Sequence, residues 1–247
     1  MKFLLRPDVL YITVNQNDDG WPGRSNEILD LQERFHITIL SAGGWGHVPI
    51  PLLKQPEINR FQVPLDRRNH TFSYVGSKKH APLDMRERMI ALKQVYYYKG
   101  PTWRPVMRKS KFSLVPRGYG RTSYHLMETF QLGLIPIHVY LPTDSKGNKE
   151  LPWIPYENVI KNVSYAVTID ELPSLLEELS QLSDERIQAM EAHIVSLTDD
   201  YFSFQGTLNH ISKFMLAPST SDLVCRALTA DSGSTHPDDF ENVLDKK

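Results

Sequence analysis

Read from its amino terminus, the chain alternates short apolar runs with turn-rich stretches at the spacing of strand–helix–strand units. Residues 9–14 predict a strand, residues 25–34 a short helix, and residues 35–40 a second strand that ends in Ser41-Ala-Gly-Gly. Prolines then recur at positions 49, 51, 56 and 64 with little helical period, which suits a crossing between domains. Apolar alternation resumes at residues 72–76, and residues 84–96 predict a helix capped by Asp84. Residues 111–115 read as a short buried strand, which Pro116, Gly118 and Gly120 break. Thr122 and Ser123 are N-cap residue types for a helix running to about residue 132, Gly133 ends it, and residues 135–141 supply the next strand. Residues 170–182 predict an acidic amphipathic helix, residues 183–197 another with an N-cap signature at Ser183, and residues 201–215 a last one. Beyond Pro218 the chain is rich in Ser, Thr, Asp and Gly without periodic apolar positions, the composition of a disordered tail.

Strands alternating with helices predict an α/β protein with a Rossmann-like parallel sheet and flanking helices. Composition agrees: 247 residues, 40% hydrophobic, 23% charged and a formal net charge of −1 favour neither disorder nor a polyanionic partner. The dense basic cluster of Arg104, Arg108, Lys109, Lys111, Arg117 and Arg121 lacks the interleaved aromatic residues that stack nucleic-acid bases, so no nucleic-acid partner is expected. Met1-Lys-Phe-Leu-Leu resembles the start of a signal sequence, but Arg6 and Pro7 end its apolar run too early for a signal core or a membrane span. The single Cys225 excludes an intramolecular disulfide. Asn69-His-Thr and Asn162-Val-Ser are glycosylation sequons only for a chain that enters the secretory lumen.

The densest chemistry lies in residues 111–139, where strand, Gly-rich turn, helix and strand carry a charged residue at each corner. The first-turn N–H groups of the helix after Thr122 and Ser123 make an anion site through their unpaired donors and the helix dipole, and Arg117 and Arg121 bracket it. Glu128, inside that helix, can accept two hydrogen bonds from vicinal hydroxyls such as those of a ribose. Ser77, Lys78 and Arg86, after Val75-Gly76, are candidates for a second phosphate cradle facing the Arg117 loop. The plainer alternative is an ordinary strand–helix–strand unit with solvated arginines and a solvated glutamate. Asp18-Asp19-Gly20 has the form of a turn, and no metal is assigned.

At these residues the chain resembles the exostosin family, the family 47 glycosyltransferases, whose hallmark looks like Lys-Phe-Cys-Leu-x-Pro-Arg-Gly, then Ser-Phe-Arg-x-x-Glu-Ala, then Gly-x-Ile-Pro-Val. It is present as Lys111-Phe112-Ser113-Leu114, Pro116-Arg117-Gly118, Ser123-Tyr124-His125, Glu128-Thr129 and Gly133-x-Ile135-Pro136-Ile137, with His125 in place of the usual arginine and Thr129 in place of alanine. The resemblance extends from about residue 9 to about residue 215, through Tyr11-Ile-Thr-Val-Asn-Gln-Asn-Asp-Asp-Gly20, Ser41-Ala-Gly-Gly-Trp-Gly-His-Val-Pro-Ile-Pro51, Tyr74-Val-Gly-Ser77 and Leu151-Pro-Trp-Ile-Pro-Tyr-Glu-Asn-Val-Ile160.

The resemblance implies one half of a two-domain GT-B-type glycosyltransferase. Residues 71–216 correspond to the donor-binding domain, residues 1–70 to the end of the acceptor-side Rossmann-like domain and the interdomain crossing, and residues 217–247 to the tail. Two complete domains need on the order of 300 residues, so a truncated or partial enzyme is expected. The implied activity is inverting transfer of a sugar from a nucleotide diphosphate sugar, expected to be a UDP-sugar, to a glycan or protein-linked acceptor, with no cofactor. The implied place is the Golgi or secretory-pathway membrane, anchored through a segment that is not in this chain. The implied donor site comprises Gly76, Ser77, Lys78, Arg86, Arg117, Gly118, Tyr119, Gly120, Thr122, Ser123 and Glu128. Inverting transfer also needs a base for the acceptor hydroxyl. His47 and the Asp18-Asp19 pair, with Asp19 preferred, are candidates because both sit on loops after first-domain strands. The alternative is a catalytically inactive nucleotide-sugar-binding module that assists a partner glycosyltransferase subunit.

Overall fold

The computed structural model describes residues 5–18, 34–43, 46–57, 62–79, 81, 84–143, 147 and 149–218. The helix expected over residues 25–34, apart from Arg34, the candidate base Asp19, and the chain beyond residue 218 lie outside the described residues.

Short apolar segments that cannot pair locally need helical crossovers, and the described strands all pair in parallel. Strands β1 (Leu10–Asn15), β2 (His36–Ser41) and β3 (Val48–Pro49) form a three-stranded sheet in that order. Strands β4 (His70–Val75), β5 (Val95–Tyr98), β6 (Ser110–Pro116), β7 (Ile135–Tyr140) and β8 (Tyr165–Thr168) form a five-stranded sheet in the order β5-β4-β6-β7-β8. Helices α1 (Met85–Ile90), α2 (Trp103–Arg108), α3 (Tyr124–Gln131) and α4 (Glu157–Ile160) connect successive strands of the larger sheet. After β8 come α5 (Leu172–Leu179), α6 (Asp184–Tyr201) and α7 (Phe204–Leu216). The chain is thus an α/β protein with two parallel sheets and flanking helices, of Rossmann-like architecture.

The central strands read as near-continuous apolar runs because layers cover both their faces. Phe112, Leu114 and Val115 on β6 and Ile135, Ile137 and Val139 on β7 are all 0% exposed. The helix expected over residues 84–96 is shorter: α1 stops at Ile90, Leu92 N–H donates to the Met89 carbonyl, and Val95-Tyr-Tyr-Tyr98 joins the sheet as edge strand β5. The aromatic run favours a pleated strand over a helix. The short elements α2, β3, α4 and β8 carry too few residues to show a period, and the pattern along the chain did not predict them.

Several contacts tie the two sheets and the crossing segment together. Helix α7 lays Ile211 and Phe214 on Leu40, Ala42, Val48, Ile50 and Leu52 of the smaller sheet and its trailing strand. The buried Trp153 indole donates to the Ser41 carbonyl at the end of β2, 2.9 Å away. In the crossing, Arg68 makes a buried two-pronged pair with Glu191 of α6, Nη1 to Oε1 at 2.5 Å and Nη2 to Oε2 at 2.9 Å. No helix among the described residues is long and apolar enough to cross a membrane.

Candidate functional site

Strand order decides where a ligand can sit. From β4 the chain moves to one side to make β5, then returns across β4 to make β6, so the order reverses between β4 and β6. Open parallel sheets leave a crevice at the carboxyl ends of the strands at such a point. A cavity of about 270 Å³ lies there. The β4 end contributes Tyr74, Val75, Gly76 and Ser77 to its wall, and the β6–α3 loop contributes Pro116, Gly118 and Tyr119. Helix α3 adds Ser123, Tyr124, His125 and Glu128, α1 adds Arg86, and the side of the smaller sheet adds Asp18 and Leu52.

Gly118 is required by closeness of backbone. Its N–H donates to the Thr122 carbonyl at 2.9 Å, and a Cβ there would meet that carbonyl at 3.0 Å and Asp18 Oδ2 at 3.4 Å. At Gly76 a Cβ would fall 2.7 Å from the Tyr74 hydroxyl, which itself donates to the Ser77 carbonyl at 2.6 Å. Burial raises the Tyr74 phenol to about 12, although the Arg86 charge opposes the shift, so it is a neutral donor at physiological pH.

Arg86 is 7% exposed. Its guanidinium is held by three backbone carbonyls: Nη1 donates to Ser77 at 3.0 Å and Lys79 at 2.7 Å, and Nη2 to Arg117 at 3.0 Å. Nε is buried without a hydrogen-bond partner, and no carboxylate among the described residues forms an ion pair with Arg86. Burial lowers its pKa, with Tyr74, Tyr119 and Glu87 opposing, but a guanidinium still keeps its charge near neutrality. The wall therefore holds a fixed positive charge that carbonyl dipoles orient and that forms no ion pair with a carboxylate among the described residues. Beside it, Ser123 occupies the N-cap position of α3, yet its hydroxyl makes no capping bond and is buried without a partner.

Glu128 carries the opposite charge on the same wall. Burial alone would raise its pKa, but hydrogen bonds and charges from His125 and Lys54 outweigh burial and hold it at about 2. His125 Nδ1 lies 2.9 Å from Oε2, and the Lys54 ammonium contacts Oε1. Each oxygen uses one lone-pair direction on these partners and keeps another. Lys54 also approaches Glu57 at 3.6 Å and lies 5.0 Å from the Trp103 ring, and Arg104 pairs with the same Glu57 at 2.5 Å.

Arg117, expected to meet phosphate, is placed differently. It is 0% exposed and is not among the residues lining the cavity. Nη1 pairs with buried Glu150 Oε1 at 2.5 Å, Nε donates to the Gly120 carbonyl at 3.0 Å, and Nη2 donates to the Tyr119 carbonyl at 2.5 Å. A carboxylate within the fold has taken the guanidinium, which shapes the loop from behind. Its charge and burial push nearby His138 down to about 4, with burial the larger effect, so that ring is neutral.

Of the other expected residues, Gly76, Ser77, Gly118, Tyr119 and Ser123 line the cavity. Gly120 and Thr122 are buried behind the loop, where their carbonyls accept from Arg117 and Gly118. Lys78 is exposed and lies over the Tyr97 ring at 5.2 Å, outside the lining. His47 is turned to its own sheet: its Nδ1 accepts from Ile39 N–H at 2.9 Å and its N–H donates to the Ile39 carbonyl at 2.7 Å. Burial lowers its pKa. A ring nitrogen occupied by a backbone donor cannot take a substrate proton. Asp19 lies outside the described residues, whereas its neighbour Asp18 lines the cavity.

Sequence reasoning missed Lys54 altogether, because it lies 74 residues from Glu128 and belongs to no local pattern. It noted His125 only as a departure from the arginine of the resembled motif, while the three-residue spacing from Glu128 on one helix face was a signal for their contact. No family model matches the chain, and no curated protein sequence matches it.

Proposed function

We propose that this cavity binds a nucleoside diphosphate sugar and that the chain is the donor side of an exostosin-type inverting glycosyltransferase acting on a glycan or glycoprotein acceptor in the secretory pathway. The observation that carries the reading is Arg86: a buried guanidinium at the strand-order reversal, held by carbonyls, with an unpartnered Nε and no neutralising carboxylate among the described residues. A buried charge of this kind is costly unless an anion meets it. The neighbouring N-terminus of α3 and the unpartnered Ser123 hydroxyl supply neutral donors for the same anion. Glu128, ionised and lining the same cavity, suits a ligand that also carries hydroxyls, as a ribose does.

In the proposed reaction the acceptor hydroxyl loses its proton to Asp18, and its oxygen bonds to the anomeric carbon from the face opposite the leaving group. The bond from that carbon to the diphosphate breaks, the electron pair stays on the phosphate oxygen, and Arg86 with the α3 donors stabilises the charge. Within the Asp18-Asp19 pair, Asp18 is assigned this role because it is a carboxylate that lines the cavity, while Asp19 lies outside the described residues. The resemblance supplies the sugar-transfer chemistry, and the cavity supplies an anion site beside a hydroxyl acceptor.

Calorimetric titration with UDP tests the reading. The wild-type chain should bind, and Arg86→Met should bind about tenfold or more weakly, since a hydrogen bond to a charged group contributes roughly 1.5–3 kcal/mol. Arg86→Lys, which keeps the charge and can reach a carbonyl, controls for folding and should fall between the two. Absence of UDP binding by the wild-type chain, or equal binding by a folded Arg86→Met, would overturn it.

A further inference from the structure

A second cavity, of about 250 Å³, opens between the smaller sheet, α7 and the turn that enters α4, and it shares no lining residue with the first. Its floor is apolar: Leu40, Ile50, Ile211 and Phe214 line it, and none is more than 7% exposed. Its wall is aromatic. Tyr201 and His210 stack with centroids 4.5 Å apart, and Tyr156 stands 5.1 Å from Tyr201 and 5.0 Å from His210. At the rim lies Glu157, exposed and in no ion pair among the described residues.

Tyr156 is also the one described residue other than glycine with a positive φ, at 55°. A side chain in that left-handed region is strained, and such strain persists where the surrounding structure fixes it and concentrates at ligand clamps and switches. The Tyr156 hydroxyl is buried and completes no hydrogen bond of ordinary geometry. Burial raises its pKa, against a smaller opposing effect of Thr207, so it is a neutral phenol. An apolar floor, electron-rich ring faces and a carboxylate without a cation form one set of contacts: hydrocarbon below, positive charge at the rim.

We propose that this second cavity binds an organic ammonium carried on an apolar group of about arylethylamine size, with the hydrocarbon on the Leu40–Phe214 floor and the ammonium between the tyrosine rings and Glu157. The inference uses no residue of the first cavity and stands independently of the donor reading. Three probes that share one hydrocarbon separate charge from shape: 2-phenylethylamine, 2-phenylethanol and 3-phenylpropionate.

Saturation-transfer NMR and calorimetry on the full chain at pH 8, above the ordinary imidazole range, should rank them amine, alcohol, acid. The amine should bind with a dissociation constant below about 1 mM. Its advantage over the alcohol should be on the order of fivefold, the combined scale of an exposed cation–π contact and a surface ion pair. Glu157→Gln, a change at an exposed position, should reduce that advantage and leave the alcohol unaffected. Val159→Phe, which narrows the cavity, should weaken all three probes. No binding of the amine, an alcohol that binds as tightly as the amine, or an amine advantage that survives Glu157→Gln in full would overturn the proposal.

Discussion

Replacing Arg117 separates two roles that the motif alone leaves merged. If Arg117 contacted phosphate, Arg117→Met would fold normally and lose UDP affinity. The observed geometry predicts the reverse order of effects. The guanidinium makes three charge-assisted contacts, to Glu150 and to the Gly120 and Tyr119 carbonyls, and both charged partners are buried. Removing one member of a buried pair leaves the other charged and dry, which costs about 3–5 kcal/mol, a large share of a total stability of about 5–15 kcal/mol. Urea unfolding should therefore place Arg117→Met about 4 kcal/mol below wild type, with Glu150→Gln less affected because the two carbonyl contacts remain. The double variant Arg117→Met/Glu150→Gln should be more stable than the sum of the single losses predicts, by about 2 kcal/mol, as expected for groups in direct contact. Any loss of UDP affinity in Arg117→Met should follow from loosening of the loop and shrink when titrations are normalised to folded protein. An Arg117→Met chain within about 1 kcal/mol of wild type that has lost UDP binding would refute the clamp and restore the phosphate contact.

Three further expectations follow from the cavity wall. Glu128, held by Lys54 and His125 at about 2 against an ordinary 4.5, gains stability on the order of a few kcal/mol from being ionised in the folded state. Because the folded-state pKa is depressed, this stabilisation is complete above about pH 4.5 and is lost as pH falls through about 2; the gap in urea midpoint between wild type and Glu128→Gln should be wide at pH 7 and narrow at pH 2.5, and a gap independent of pH would count against the Lys54–Glu128–His125 network. Glu128→Gln should also weaken UDP binding while leaving the 2′,3′-dideoxy analogue nearly unaffected, and equal losses for both ligands would remove the ribose role. Gly118→Ala, whose added carbon would press on the Thr122 carbonyl at 3.0 Å and face Asp18 Oδ2 at 3.4 Å, should cost about 1–3 kcal/mol as an overpacked position and weaken UDP binding; a variant with unchanged affinity would show that the ligand does not approach this loop.

How much of this was legible beforehand depends on how local each feature is. The order of elements in the β6–loop–α3–β7 unit was readable, because its strand, turn and helix signals lie within thirty or so residues and local chemistry dictates each of them. The strand continues through Pro116, which pairs with Val139, before the glycine-rich turn; Ser123 opens the helix, and Gly133 at φ 70° closes it. Edge strand β5 was misread as the end of a helix: Val95-Tyr-Tyr-Tyr98 is four residues long, too short for a period, and only pairing with β4 identifies it as a strand.

The electrostatics of the site were less legible than its backbone, and for one reason. A motif fixes which charged side chains stand near the loop, but a charge is used by whichever opposite charge the fold brings closest. Arg117 was claimed by Glu150, 33 residues on, and Glu128 gained Lys54, 74 residues back. Arg86 forms no ion pair with a carboxylate among the described residues, although the Glu87 charge lies near enough to act on it. Where several arginines stand near one loop, the residue to propose for an anionic ligand is therefore the one whose guanidinium is oriented by neutral groups, here three carbonyls and the Tyr74 phenol, and pairs with no carboxylate among the described residues. By that criterion the proposed anion contact is Arg86 of α1 rather than Arg117. The cavity lining then combines a guanidinium that no described carboxylate pairs with and a carboxylate already held by Lys54 and His125, so in the proposed reading an anionic group meets Arg86 while Glu128 is left to accept from hydroxyls.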